Sequence, residues 1–273
     1  MSSWHRLEVA GLGLQGHDVG QGPAVVFQHG LTGSEAQVAE CFPADLPLRR
    51  LTLECRGHGR SAQGPSEALS IDRLACDVLA FADQQGVDRF VAGGISMGAA
   101  VALRLAHLVP ERIQALILVR PAWIWWSAPK NMAPFVELAT CLRQPDLHAA
   151  RRNFEASPTV AQLRQTGPDN LLSLLRLFDS TNPLATADLI EAVARSGPDL
   201  AYGDLYRLRM PTLVVGNALD AIHPLATARV LANAIPGARL QCITPKAVDL
   251  NHHLAELRHT LHTFLSDLLF KPL

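Results

Sequence analysis

The first 120 positions alternate between short β-rich apolar runs and longer stretches with a helical spacing of apolar residues. Continuous apolar runs predict strands that are buried on both faces, and amphipathic stretches predict the helices between them. The predicted strands are residues 24–28, 51–53, 90–92 and 116–119. The predicted helices are residues 35–42, 71–85 and 97–108. Strands that alternate with helices indicate an α/β protein with a mostly parallel sheet flanked by helices.

The N-terminus has a different pattern. Residues 5–9 and 14–19 are two β-rich segments separated by a glycine-containing turn at residues 10–13. This arrangement predicts an antiparallel hairpin that joins the sheet at its edge.

The alternation stops near Pro121 and resumes with a strand at residues 212–215. A helix at 225–234, a strand at 239–243 and a helix at 253–269 are predicted to follow. The intervening stretch has no convincing strand, and prolines separate its helical segments. Those segments are residues 135–142, 161–165, 171–178 and 187–194. We therefore expect a core formed by residues 1–121 and 207–273, with a helical cap inserted at residues 122–206.

Composition narrows the possible partners. The 273 residues carry a formal net charge of −1, so they provide no electrostatic basis for binding nucleic acid or an acidic membrane surface. No apolar run reaches the roughly 18 residues that a membrane span requires. The five scattered cysteines and the lack of an N-terminal signal pattern predict a cytoplasmic protein with reduced thiols. Nothing in the sequence specifies an oligomeric state. The near-neutral charge fits a small, largely uncharged substrate.

The strongest chemical signal is a Gly-x-Ser-x-Gly pattern at residues 94–98, with Ser96 at its centre. It lies between a predicted strand and a predicted helix, so the turn must be tight and needs glycines on both sides of the serine. Such a turn projects the serine hydroxyl above the sheet. The helix N-terminus beneath it offers free N–H groups to a developing oxyanion.

A serine nucleophile needs a base and a carboxylate that orients the base. Asp220 follows the strand at 212–215, and His252 and His253 lie between the last strand and the last helix. All these positions are at strand carboxyl ends, where open α/β sheets place their sites. His223 lies three residues after Asp220 and is expected to shape that loop or to open the following helix.

Four segments in this order resemble the α/β-hydrolase fold family over essentially the whole chain. They are His29-Gly30-Leu31, the loop at residues 56–61, the turn around Ser96, and Asp220 with its Pro224. The resemblance implies that Ser96 is the nucleophile, that Asp220 orients the base and that a C-terminal histidine is the base. It also implies an oxyanion hole formed by the backbone N–H groups of Leu31 and Met97.

The chain departs from the family where the base is expected. A Gly-His pair usually follows the last strand closely, whereas this chain has a longer segment at residues 244–253 that ends in two histidines. We expect His253 to be the base, with His252 as the alternative. Asn251 is the expected cap of the last helix.

Together these features predict a serine hydrolase that cleaves a small, apolar carboxylic ester or related acyl compound through an acyl-enzyme. Trp123 and Trp125 follow a strand end near the site and are candidates for an apolar substrate pocket, although packing of the insert would also explain them. The alternatives are a C–C bond hydrolase, a lactonase or a lyase on the same residues, or a ligand-binding protein without turnover. We expect no metal and no cofactor, since H-E-x-x-H, G-x-G-x-x-G and P-loop motifs are absent from the sequence.

Overall fold

An eight-stranded sheet runs through the computed structural model, which describes residues 2–269. The strands are β1 Ser2–Val9, β2 Leu12–Gly20, β3 Ala24–Gln28, β4 Arg49–Glu54, β5 Phe90–Ile95, β6 Ile113–Val119, β7 Thr212–Gly216 and β8 Arg239–Cys242. Their order across the sheet is β1-β2-β4-β3-β5-β6-β7-β8. Strand β2 is antiparallel to both neighbours, and every other pairing is parallel. The predicted α/β-hydrolase architecture is confirmed.

The side chains of the central strands alternate between two apolar clusters, one on each face of the sheet. On β6, Leu116 and Leu118 belong to one cluster, whereas Ile117 and Val119 belong to the other. Burial on both faces explains why these strands have continuous apolar runs. Strand β4 extends beyond the predicted 51–53 because its flanking polar residues also pair with neighbouring strands.

The predicted N-terminal hairpin is present. Val9 of β1 pairs with Leu12 of β2, so the turn consists of Ala10 and Gly11 alone. Both have positive φ, 51° and 77°, which is the backbone geometry that two-residue hairpin turns require. Strand β2 then pairs with β4 and connects the hairpin to the parallel strands.

Helices cover both faces of the sheet. The core helices are α1 Glu35–Cys41, α2 Ile71–Gln84, α3 Met97–Leu108, α10 Leu225–Ala234 and α11 Leu250–Leu269. Helices α2, α3 and α10 contribute to one apolar cluster, and α1 and α11 contribute to the other. Helix α11 begins three residues before the predicted start, because the Asp249 carboxylate, and not Asn251, caps it by accepting the His252 N–H at 2.9 Å. No helix among residues 2–269 is both long and apolar enough to cross a membrane.

Between β6 and β7 the chain contains helices and no strand. They are α4 Ala133–Leu142, α5 Leu147–Glu155, α6 Pro158–Thr166, α7 Pro168–Leu175, α8 Pro183–Arg195 and the short α9 Tyr202–Leu205. Sequence reasoning missed α5, because only Ala150 and Phe154 of this helix are buried and its apolar stripe is narrow. The insert is tied to the core through Ser196, whose hydroxyl accepts the Ile71 N–H. Within the insert, the Ser196 carbonyl accepts the Trp123 indole N–H.

Candidate active site

Five strands of the parallel part of the sheet deliver loops to one edge, at their carboxyl ends. These loops and the helical insert enclose a cavity of about 320 Å³. Its lining includes Gly30, Leu31, Ser96, Arg120, His223 and Lys246 from the core, and Phe135, Asp169, Asn170, Arg176 and Leu177 from the insert. A cavity at this edge is the expected location of a site in an open α/β sheet.

Ser96 occupies the tight turn between β5 and α3 that the sequence predicted. Its φ of 55° lies in the left-handed region, which a residue with a side chain adopts only under strain. The flanking glycines are required by space: a Cβ on Gly98 would lie 2.3 Å from the Gln28 carbonyl oxygen, and one on Gly94 would lie 2.5 Å from the Gly98 carbonyl carbon. The turn therefore packs directly against strand β3.

A chain of hydrogen bonds joins Ser96, His223 and Asp220. His223 Nε2 lies 2.7 Å from Ser96 Oγ, and His223 Nδ1 lies 2.8 Å from Asp220 Oδ1. An ionised carboxylate only accepts hydrogen bonds, so Nδ1 carries the ring proton and Nε2 is free to accept the serine hydroxyl proton. The three side chains have the connectivity of a nucleophile, a base and an orienting carboxylate.

Asp220 is buried and has partners on both carboxylate oxygens. Arg120 Nε donates to Oδ2 at 2.6 Å, and Asn170 Nδ2 donates to Oδ1 at 3.0 Å. Burial by itself would raise the pKa of Asp220, but the charges of His223 and Arg120 outweigh it, and the net effect lowers that pKa. Asp220 is therefore a carboxylate at neutral pH.

His223 experiences opposing influences. Burial lowers its pKa, and the Asp220 carboxylate opposes this effect; the net pKa lies below the ordinary value of 6.5. The imidazole is therefore neutral at pH 7, which is the state that can take a proton from Ser96.

The contact expected between His253 and Ser96 is not present, and this expectation is corrected. His253 belongs to the first turn of α11, where its Nδ1 donates to the Thr244 carbonyl at 2.7 Å. His252 is exposed and forms an ion-pair contact of 3.3 Å with Glu256, one turn further along α11. Because Asp249 caps α11, both histidines belong to the first turn of that helix. Neither of them lines the cavity that contains Ser96.

The two tryptophan predictions are also corrected, since neither ring lines the cavity. Trp123 is 1% exposed and packs in the core, with its indole N–H bound to the Ser196 carbonyl. Trp125 contacts the rings of Trp126 and Tyr202, away from Ser96. Both therefore pack the insert, the alternative that the sequence had left open.

Leu31 and Met97, the expected donors to an oxyanion, each adjoin a residue at the serine turn: Leu31 follows Gly30, and Met97 follows Ser96. Leu31 lines the cavity, and a Cβ on the preceding Gly30 would lie 3.5 Å from Ser96 Cβ. Met97 is the first residue of α3, and the first N–H groups of a helix have no partner within it. The Gln37 side chain holds the loop after β3 in place, because its Oε1 accepts the Gly30 N–H at 2.7 Å.

Sequence reasoning missed the position of His223 and the roles of Arg120 and Asn170. The absence of a Gly-His pair after the last strand was a signal that the base lies elsewhere, and His223 is three residues from the predicted carboxylate. Arg120 follows the end of β6 and Asn170 belongs to the insert, so only the tertiary structure brings them to Asp220.

Among residues 2–269, no three His, Cys, Asp or Glu side chains are grouped as ligands for a metal ion.

Comparison with known proteins places this chain in a family. The sequence profile of the α/β hydrolase fold matches residues 23–247. The chain is 29% identical over 231 residues to the pimeloyl-[acyl-carrier protein] methyl ester esterase of Aromatoleum aromaticum, covering 80% of this chain and 88% of that protein. It is 25% identical over 236 residues to the AB hydrolase superfamily protein YisY of Bacillus subtilis, covering 82% and 84%.

A solved structure of similar fold is the enol-lactonase from Burkholderia xenovorans LB400. The TM-score is 0.72 at 23% identity, and the match covers 98% of this chain and 100% of the other. The chain therefore belongs to the α/β-hydrolase fold family, which confirms the family and the class of enzyme that its motifs predicted.

Proposed function

We propose that this enzyme is a serine hydrolase that cleaves carboxylic esters through a catalytic triad of Ser96, His223 and Asp220. The observation that carries the proposal is the 2.7 Å contact between His223 Nε2 and Ser96 Oγ, with the ring held by Asp220. A relative that is named a methyl ester esterase supports an ester as the substrate.

The reaction follows from the protonation states. His223 takes the hydroxyl proton as Ser96 Oγ forms a bond to the ester carbonyl carbon, and it returns that proton to the alcohol oxygen as the alcohol leaves. Water then attacks the acyl-enzyme and gives one proton to His223. The acid is released, and the proton returns to Ser96 Oγ.

The proposed oxyanion hole consists of the Leu31 and Met97 N–H groups. In serine hydrolases, a donor of this kind contributes roughly 3 kcal/mol to the stability of the transition state. The position of Met97 at the start of α3 adds the positive end of the helix dipole.

We propose that residues 122–206 form a cap over this site, and that residues 1–121 and 207–273 form the catalytic core. The proposal is supported by the apolar side chains of Phe135 and Leu177, which the insert contributes to the cavity wall. It is also supported by Asn170, which contacts Asp220 from the insert. We propose a cytoplasmic location, since all five cysteines are free thiols.

The direct test combines labelling with turnover. A fluorophosphonate probe should label the wild-type enzyme, and 4-nitrophenyl butyrate should be hydrolysed. Ser96→Ala should abolish both, whereas Ser173→Ala, which changes another serine of the same cavity, should preserve labelling. Labelling that persists in Ser96→Ala would exclude Ser96 as the nucleophile.

A further inference from the structure

Lys246 is a cation in the cavity that contains Ser96. It lies in the loop after β8, the segment in which the resemblance placed the catalytic base. This loop therefore brings an ammonium group to the site, while the imidazole comes from the loop after β7. Lys246 forms no hydrogen bond with Ser96, His223 or Asp220. The presence of Lys246 in the cavity therefore requires a different explanation.

The charges around the cavity are unevenly matched. Arg120 is shared between two carboxylates, donating to Asp220 at 2.6 Å and to Asp169 at 3.0 Å. Lys246 and Arg176 also line the cavity, and within the described part of the chain neither has a carboxylate at ion-pair distance. Arg120 and its two carboxylate partners together carry one negative charge, and Lys246 and Arg176 add two positive charges, so one positive charge is in surplus. Glu40 also acts on the charge of Lys246, but it is exposed and does not line the cavity.

The surplus charge has an energetic cost. Lys246 is half-buried, and burial lowers its pKa. The nearby positive charge of Arg120 adds to this effect, and the negative charges of Asp169, Glu40 and Asp220 oppose it without reversing it. An ammonium that loses hydration without gaining a partner is destabilised. A bound anion would supply that partner, and Arg176 offers a planar fork suited to a carboxylate.

We propose that the substrate is an ester that carries a carboxylate, held by Lys246 and Arg176 while Ser96 attacks the ester carbonyl. One surplus positive charge matches a monoanion, and the apolar side chains of Phe135 and Leu177 suit the carbon chain between the two groups. The inference rests on the proposed ester hydrolysis. It also replaces the expectation of a small, largely uncharged substrate.

Matched esters test the proposal. The 4-nitrophenyl monoesters of glutaric, adipic and suberic acid are each compared with the methyl-capped diester of the same chain length. All six release the same leaving group, so within each pair only the charge and its methyl cap differ. At one or more chain lengths, kcat/KM should be about 10- to 100-fold higher for the charged ester, the range expected for hydrogen bonds to a charged group. Equal or lower values for the charged ester at every length would overturn the proposal.

Variants of Lys246 and Arg176 test whether these side chains cause the preference for the charged ester. Lys246→Met should reduce the charged-to-neutral ratio of kcat/KM about tenfold or more, and Arg176→Gln should also reduce it. Lys130→Met provides the matched control, since Lys130 is exposed and does not line this cavity. An unchanged ratio in both Lys246→Met and Arg176→Gln would exclude these side chains as the anion site.

Binding without turnover separates this inference from the proposed function. Monomethyl adipate and dimethyl adipate are titrated into Ser96→Ala and into the double variant that also carries Lys246→Met. Tighter binding of the monoanion that is lost in the double variant supports the anion site even if ester hydrolysis fails. Hydrolysis of the neutral diesters with no preference for the monoanion in either assay would leave the hydrolase intact and refute the anion site.

Discussion

Arg120 Nε donates to Asp220 Oδ2 at 2.6 Å, on the carboxylate oxygen that His223 does not use. Asp220 is thereby held from two sides, by the base that it orients and by a cation at the end of the neighbouring strand β6. Arg120 adopts a left-handed φ of 47°, and its own N–H is bound to the Val215 carbonyl at 2.7 Å. This geometry makes Arg120 a positioning residue for the proposed triad.

Substitution Arg120→Met should therefore affect both stability and catalysis. It removes a countercharge from the buried Asp220 carboxylate, and loss of one partner from a buried pair costs about 3–5 kcal/mol in the free energy of unfolding. Since the charge of Arg120 lowers the pKa of His223, its removal should also move the acid limb of kcat/KM to higher pH.

Denaturant unfolding and a pH profile measure the two effects of Arg120→Met. Arg143→Met is the matched control, because Arg143 pairs with Asp188 and Glu191 on the surface. Its loss should change stability by no more than about 1 kcal/mol. A stable Arg120→Met enzyme with an unshifted profile would contradict the positioning role.

Histidine variants distinguish the observed geometry from the expectation based on sequence. His223→Gln should lower kcat by about 10⁴-fold or more, because no other group within the described residues contacts Ser96 Oγ as a base. His253→Gln should keep activity within severalfold, since His253 contacts the Thr244 carbonyl and not the serine. Steady-state hydrolysis of 4-nitrophenyl butyrate measures both. The opposite ranking of the two variants would restore His253 as the base.

The pH profile should report a base with a lowered pKa. Because the pKa of His223 lies below 6.5, the neutral imidazole persists as pH falls through 6.5 and is lost only at lower pH. We therefore expect kcat/KM for a neutral ester to exceed half of its plateau at pH 6.5, with the acid midpoint below that value. A midpoint above 6.5 in an enzyme that remains folded would contradict this assignment.

The glycines of the serine turn should be far less replaceable than a glycine in open space. Gly98→Ala places a Cβ 2.3 Å from the Gln28 carbonyl oxygen, so the turn must shift and we expect loss of both activity and several kcal/mol of stability. Gly203→Ala is the control, because a Cβ at this position meets no neighbouring group within 4 Å, and alanine favours the helix α9 in which it lies. Thermal melts and esterase assays should show a lower Tm and lower activity for Gly98→Ala than for Gly203→Ala.

The sequence was sufficient for the features that depend on local pattern. Apolar runs located the strands, and the steric demand of a tight turn identified Ser96 between two glycines. The position of the base was misjudged because the choice between His223 and His253 depends on where helix α11 begins. Asp249 starts that helix before His253, and a single capping hydrogen bond thereby removes the expected candidate from the site.

The contacts of Arg120 and Asn170 with Asp220 could not be predicted from the sequence, for another reason. They join positions that are 100 and 50 residues apart, and no periodicity or short motif marks such pairs. The same holds for Lys246 and Arg176, whose shared position in one cavity is a property of the assembled fold.

His223 and Asp220 are three residues apart in one loop between β7 and α10. Their relative position is thus set by local chain geometry and does not depend on how the edge strand β8 and helix α11 dock on the sheet. On gentle heating, loosening of that C-terminal edge should leave the acid–base pair assembled, while the loop that carries Lys246 moves. We expect substrate selectivity to decline before chemical competence does, so that the enzyme becomes less discriminating before it becomes inactive.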